Sequence, residues 1–158
     1  VPWELQGQSS VQTKVSVQDS SGNLYSLPLA KYSPGIFEIP AGGGTYAAAR
    51  DENFNVIGPA NPALQGHNIQ IYCNGLGPVS NQPASGDPSP ASPLAMTSIT
   101  PTVTVGGLNA PVLFSGLTPT TVGLYQLNVT VPNTGPGTKP VIIGIGGILS
   151  KASNIVVQ

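Results

Sequence analysis

Charge is what this sequence has least of: five Lys/Arg and six Asp/Glu in 158 residues, 7% where globular domains carry roughly 25%. With a net charge of −1 and no basic stripe, it cannot neutralise a phosphate backbone, so nucleic-acid binding is disfavoured. One cysteine, Cys73, excludes an internal disulfide and any multi-cysteine zinc site. One histidine, His67, cannot hold zinc without partners. Long apolar runs are missing too. The longest, Val141 to Leu149, has nine residues of which three are glycine, too short to span a bilayer. No window of twelve residues free of Gly and Pro has helical periodicity, which excludes an α or α/β fold. The chain opens at Val1 with neither an initiator Met nor a signal peptide, and so reads as processed or as a piece of something longer.

What remains is strand pattern and turn signal. Hydrophobic residues make up 39%, enough for a core despite the low charge. In Thr102 to Pro132, Tyr125, Leu127, Val129 and Val131 alternate with Gln126, Asn128 and Thr130. Side chains on a strand point to opposite faces with period two, so this is a strand with one core face and one wet face. Val103 and Val105 alternate in the same way upstream, until Gly106-Gly107 supplies the positive φ that a two-residue hairpin requires. Ile69, Ile71 and Cys73 face away from Gln70, Tyr72 and Asn74 in a further strand. Val141 to Ile145, the turn Gly146-Gly147 and Ser153 to Val157 close the chain. Short runs at Ile36 to Ile39, Tyr46 to Arg50 and Phe54 to Ile57 add candidate strands.

The N-terminal stretch reads as a β-hairpin. Val11, Thr13, Val15 and Val17 alternate with polar residues, Asp19 to Asn23 is a dense turn signal, and Leu24 to Leu29 returns. Pro28 cannot donate to a ladder and marks an edge or an end. Val1-Pro2 and Val131-Pro132 open similar successions of loop, strand, turn and strand. Any two hairpins would show such an echo, and residues 1 to about 32, as the tail of an upstream copy of the same module, would show it equally. By contrast, Pro78 to Pro93 (PVSNQPASGDPSPASP) has five prolines and no periodicity, and is expected to be an exposed excursion with few core contacts. Many short strands punctuated by turns specify an all-β sandwich.

The string PTVTVGGLNAPVLFSGLTPTTVGLYQLNVTVP, followed by PVIIGIGGILSKASNIVVQ, resembles the uncharacterised Ig-like C-terminal modules of large secreted Acidobacteria proteins, the family named after Solibacter. More distantly it is similar to IPT/TIG domains. VPWEL, SPGIF, PANPALQG and IYCNGLGPV occur upstream in the family's order, so the resemblance covers nearly the whole chain. It implies an Ig-like β-sandwich over residues 33–158. It also implies that residues 1–32 are the closing hairpin of an incomplete upstream Ig-like unit. An extracellular setting at the end of a longer protein follows from it, and a surface poor in charge and rich in Thr, Ser and Asn suits a secreted or cell-surface module. No catalytic, cofactor or metal residues come with these motifs.

Read one by one, the residues that could carry chemistry have ordinary roles. Asp51, Asn53 and Asn55 open like a calcium loop, but Val56 and Pro62 stand where an EF-hand needs Gly and Glu. A turn between strands explains them. Asp51 and Glu52 are adjacent carboxylates, whereas a glycosidase pair lies across a cleft. His67 lacks an identifiable nucleophile and orienter, and Cys73 shares the apolar face of its strand. Ala41 to Gly44 has neither the Lys nor the helix of a phosphate loop. Asn128-Val129-Thr130 matches a glycosylation sequon but lies mid-strand. No enzyme, cofactor or metal is therefore expected.

The expected function is a non-catalytic structural or adhesion module, its partners being other domains of the same polypeptide. The alternative is a carbohydrate- or peptide-binding module using exposed loops and aromatics, with Tyr72, on the polar side of its strand, and Trp3 as the candidate ligand residues. A lone hairpin must cover its apolar face, so a homodimer through residues 1–32 is a further expectation.

Overall fold

The computed structural model describes residues 2–158; Val1, which opens the first of the two echoing segments, lies outside the described residues. The chain is an all-β sandwich with an N-terminal hairpin, and no α-helix occurs among the described residues. After a single 3-10 turn at Trp3–Leu5 come β1 (Ser10–Thr13), β2 (Ser16–Val17), β3 (Ser20–Ser21) and β4 (Tyr25–Pro28). The next segment holds β5 (Gly35–Ile36), β6 (Glu38–Ala41), β7 (Gly44–Ala47), β8 (Ala49–Arg50) and β9 (Asn68–Asn74). Beyond the proline-rich stretch are β10 (Thr102–Val105), β11 (Leu108–Asn109), β12 (Val112–Leu117) and β13 (Tyr125–Thr130). Last come β14 (Gly137–Ile145), β15 (Ile148–Leu149) and β16 (Ser153–Val157).

Two five-stranded sheets form the sandwich. The first runs β11–β10–β14–β15 with β16 also on β14, and the second runs β12–β13–β9–β5 with β8 also on β9. Their inner faces are the alternating apolar sets. Val103, Val105, Val141, Ile143, Ile155 and Val157 from one sheet meet Ile69, Ile71, Cys73, Leu127 and Val129 from the other, all buried. At roughly 25 cal/mol per Å² of apolar surface removed from water, this double layer is the dominant stabilising contribution. The Gly106-Gly107 turn forms as expected, with φ of 59° and 81° between the paired Val105 and Leu108. That hairpin is short, however. At Ala110-Pro111 the chain leaves the first sheet, and β12 joins the second. Phe54 to Ile57, expected as a strand, makes only the single bridge Arg50–Val56, because Asp51 folds the backbone into a turn.

The N-terminal hairpin pairs Val11 with Leu27 and ends on Pro28 opposite Ser10. Its tip lies at Gln18-Asp19, between the paired Val17 and Ser20, so of the Asp19 to Asn23 cluster only Asp19 is at the tip. Gln18 adopts a φ of 51° there. None of its residues is fully buried, and Val15 is 74% exposed. The link back to the sandwich is held at Tyr32, whose ring lies against Gly77 and Gly146.

The proline-rich stretch is exposed over most of its length, as expected, but it is pinned to the sandwich near both ends. Val79, Ser89 and Ala95 are buried. The segment Ala95 to Thr97 lies along the edge of β12, with Leu117 N donating to Ala95 O at 2.8 Å and Thr97 N to Ser115 O at 2.9 Å. Residues 78–80 in turn pair with 96–98. The loop thereby covers a sheet edge that would otherwise be open to pairing with another chain. Side-chain pattern gave no sign of this, because the pairing along β12 is made by backbone groups, with hydroxyl and amide side chains such as Thr97 and Asn81 adding to it. Ser89 is the innermost anchor: its Oγ donates to Thr118 O at 2.8 Å, its N to Thr121 O at 2.9 Å, and its O accepts from Thr120 N at 3.0 Å. Ser89→Ala removes one of the donors to the half-buried Thr118 carbonyl, which Thr121 Oγ1 at 2.8 Å and Thr121 N at 3.3 Å also reach, and should cost about 1 kcal/mol in denaturant melts. Ala84→Ser at the exposed tip should cost nothing measurable; equal losses at both positions would show that Ser89 is not an anchor.

Candidate functional site

Three places on the molecule gather chemistry-bearing side chains. The first is a shallow pocket of about 370 Å³ where the turn after β8 meets the start of β9. Asp51 Oδ1 accepts from the N–H of Asn53 and of Asn55, each at 2.9 Å. Its Oδ2 accepts from Asn55 Nδ2 at 3.2 Å and Asn61 Nδ2 at 3.1 Å. Partial burial opposes ionisation, but these amide donors outweigh it and hold the Asp51 carboxyl below its ordinary value. Four donors therefore saturate the carboxylate, and the run Asp51, Asn53, Asn55 is a turn that ties itself down.

Glu52 does the same for the neighbouring strand. Its Oε1 accepts from Asn68 N at 3.0 Å, and its Oε2 lies 3.3 Å from His67 Nδ1. The Asn68 N–H first, and His67 second, hold the Glu52 carboxyl below the usual carboxylate range. His67 is thus not isolated, but both side chains are about half exposed, at 56% and 48%. Among the described residues, no three His, Cys, Asp or Glu side chains converge to hold a metal ion.

Because Glu52, Asp51 and Glu4 all have lowered values in the folded state, the stability they confer is present above the unfolded carboxylate range. It is lost as pH falls through the lower folded values. The melting temperature should hold steady above about pH 5 and fall progressively below about pH 4. Glu52→Gln should remove part of that acid-side slope. An unchanged slope in the variant would show that the Asn68 and His67 contacts do not persist in solution.

The second place is a cleft of about 1160 Å³ between the N-terminal segment and the proline-rich loop. Trp3, Leu5, Pro83, Val122 and Tyr125 are among its walls. Trp3 is half-buried and packs against the core cluster. The segment is latched across the loop by Trp3 N to Ser85 Oγ at 2.8 Å, Ser85 Oγ to Glu4 Oε2 at 2.6 Å, and Gln6 Nε2 to Gln82 Oε1 at 2.9 Å. Tyr125 hydroxyl donates to Gly77 O. Burial foremost, with the neighbouring Cys73, pushes the Tyr125 phenol up to about 12, so it stays a neutral donor.

The third is the outer face of the second sheet, where Tyr72 is half-buried. The Arg50 guanidinium lies over its ring, 5.9 Å from the centroid. Tyr72 hydroxyl donates to Gln70 Oε1 at 3.2 Å, and Gln126 Nε2 to Asn128 Oδ1 at 2.7 Å. The two residues singled out in the sequence, Tyr72 and Trp3, are therefore not brought together: Tyr72 does not line the Trp3 cleft. Arg50 and Phe114 were not read as site residues, since only strand register places them on this face. Cys73, directly behind it, is buried in the core, where desolvation pushes its thiol up to about 12.

No protein-family model matches this chain, and neither a curated protein nor a solved structure does.

Proposed function

We propose that the chain is a non-catalytic Ig-like module, of structural or adhesive role, at the C-terminus of a larger secreted or cell-surface protein. The observation that carries this reading is the fate of its titratable groups. Asp51 and Glu52 spend their lone pairs on tying a turn to a strand, His67 has Glu52 as its hydrogen-bond partner, and the Cys73 thiol is buried. A general base needs a proton donor of the substrate or nucleophile within hydrogen-bond reach, and no hydroxyl or thiol bonds His67 among the described residues. The order of motifs shared with the Solibacter-type modules supports the Ig-like assignment and the extracellular setting. To test the reading, the protein and His67→Ala would be assayed in parallel on ester, glycoside, peptide and phosphoester substrates. Both should be indistinguishable from buffer; turnover that disappears in His67→Ala would overturn it.

Residues 1–32 are proposed to have a partner of their own, either an upstream domain of the same polypeptide or the same hairpin of a second copy. Val15, Val17, Leu24 and Tyr25 are more than half exposed on it, which supports this. Light scattering on the intact chain and on a chain beginning at Ser33 separates the two: a dimer of the former alone points to self-pairing.

The alternative, a ligand-binding module, is favoured by one specific observation, the aromatic and amide face around Tyr72.

A further inference from the structure

Strand register sets the outer face of the second sheet in rows. Arg50 is opposite Gln70, Gln70 opposite Asn128, and Asn128 opposite Phe114. Three strand spacings of about 4.8 Å make this row about 14 Å long. The adjacent row places Tyr72 opposite Gln126 and Gln126 opposite Gly116. A Cβ on Gly116 would lie 2.2 Å from Ala95 O and 2.8 Å from Phe114 Cζ, so the Ala95 carbonyl and the half-buried Phe114 ring close over the glycine at this end of the strip. The strip therefore has a cation at one end, an aromatic ring at the other and amides between.

Its polar groups are only partly used. Gln126 Nε2 and Asn128 Oδ1 serve each other, and Gln70 Oε1 serves Tyr72, which leaves Gln126 Oε1, Asn128 Nδ2 and Gln70 Nε2 without protein partners among the described residues. The Arg50 guanidinium has neither an ion pair nor a hydrogen bond among them, and its residue is exposed. The nearest carboxylate in sequence beyond Asp51, that of Glu52, is committed to Asn68 and His67. A lone guanidinium beside an otherwise uncharged strip is complementary to a ligand with sparse negative charge, many hydroxyls and an apolar ring face.

We propose that this strip binds an acidic oligosaccharide, a chain of uronic-acid pyranoses, with a carboxylate on Arg50, hydroxyls on Gln70, Gln126 and Asn128, and a sugar ring face on Phe114. The inference rests on reading the chain as a non-catalytic adhesive module. The Tyr72 ring holds the guanidinium in place, and binding forms no covalent bond.

Calorimetric titration with an oligogalacturonate, and with the same oligosaccharide reduced at its carboxyls, tests this on the intact chain. The acidic form should bind at least tenfold more tightly. Arg50→Gln, at an exposed position, should lower its affinity about tenfold to that of the reduced form. Phe114→Ala should weaken both forms, and Leu149→Ala, on the other sheet, neither. Failure of the oligogalacturonate to bind, equal binding of the two forms, or an Arg50→Gln protein that binds as the parent does would each overturn the proposal. So would tighter binding of polyglutamate, which would make the strip a peptide site. Release of reducing ends would instead overturn the non-catalytic reading, while the strip itself would still stand or fall with Arg50→Gln.

Discussion

Val129→Asp should destabilise the fold by about 4 kcal/mol, whereas Asn128→Asp, one residue away, should stay within about 0.5 kcal/mol. Val129 is fully buried between the sheets, opposite Ile69 on β9, with no polar group beside it to take a carboxylate's hydrogen bonds. The group would either ionise without a partner or fold only when protonated, and both are costly. Asn128 points the other way, onto the outer face. An aspartate there can still accept the Gln126 Nε2 hydrogen bond that Asn128 Oδ1 accepts at 2.7 Å. Urea titration of the two variants measures the difference directly. Equal midpoints would mean that β13 sits one residue out of register, which would exchange every inward and outward side chain of the strand.

Gly75→Ala should be comparably severe for a different reason, a loss of about 3 kcal/mol or more. Gly75 follows β9 with a φ of +72°, and a Cβ built on it would fall 1.8 Å from Ser33 O. Backbone crosses backbone at this point: Ser33 N donates to Gly75 O at 2.9 Å. No rotamer change relieves such a contact, so the segment joining the N-terminal hairpin to β5 must move and give up its hydrogen bond. Gly43→Ala is the comparison, since a Cβ there meets nothing within 4 Å although its φ is +81°. It should show only the cost of the left-handed backbone, about 1 kcal/mol. If the two variants melt together, the chain crossing at Ser33 is not tight. Trp3 fluorescence, reporting on the N-terminal segment alone, would show whether Gly75→Ala also releases the latch on Ser85.

Much of the sandwich was legible because β9, β10, β13 and β16 obey the period-two rule. By contrast β12, with a register shift after Val112 and three buried residues in a row at Ser115 to Leu117, does not. Ile69, Ile71, Cys73, Leu127 and Val129 were assigned to one face from alternation alone, and all are buried. The Gly-Gly turns were legible because a two-residue hairpin has few ways to be made. Cys73 as a core residue and Asp51 as the anchor of a turn were likewise local readings that the packing bears out. Local chemistry ends there. Alternation says which side of a strand is apolar, and nothing about which strand lies beside it. The switch at Ala110-Pro111, which sends β12 to the sheet opposite β10, is a matter of long-range packing, with Ala110 N still bound to Val103 O at 2.8 Å as the chain departs. The ends of the proline-rich loop were misread because backbone hydrogen bonds to an edge strand leave no mark on side-chain pattern. The strip on the outer face was hidden for the same reason. Gln70, Tyr72, Gln126 and Asn128 were each visible as wet-face residues, but Arg50 and Phe114 join their row only through pairings across four strands. Sequence alone determined that this chain would be a two-faced β protein with a dry interior. Tertiary structure decided which outward side chains became neighbours, because register between strands distant in sequence is set by the fit of the whole core and not by any segment of it.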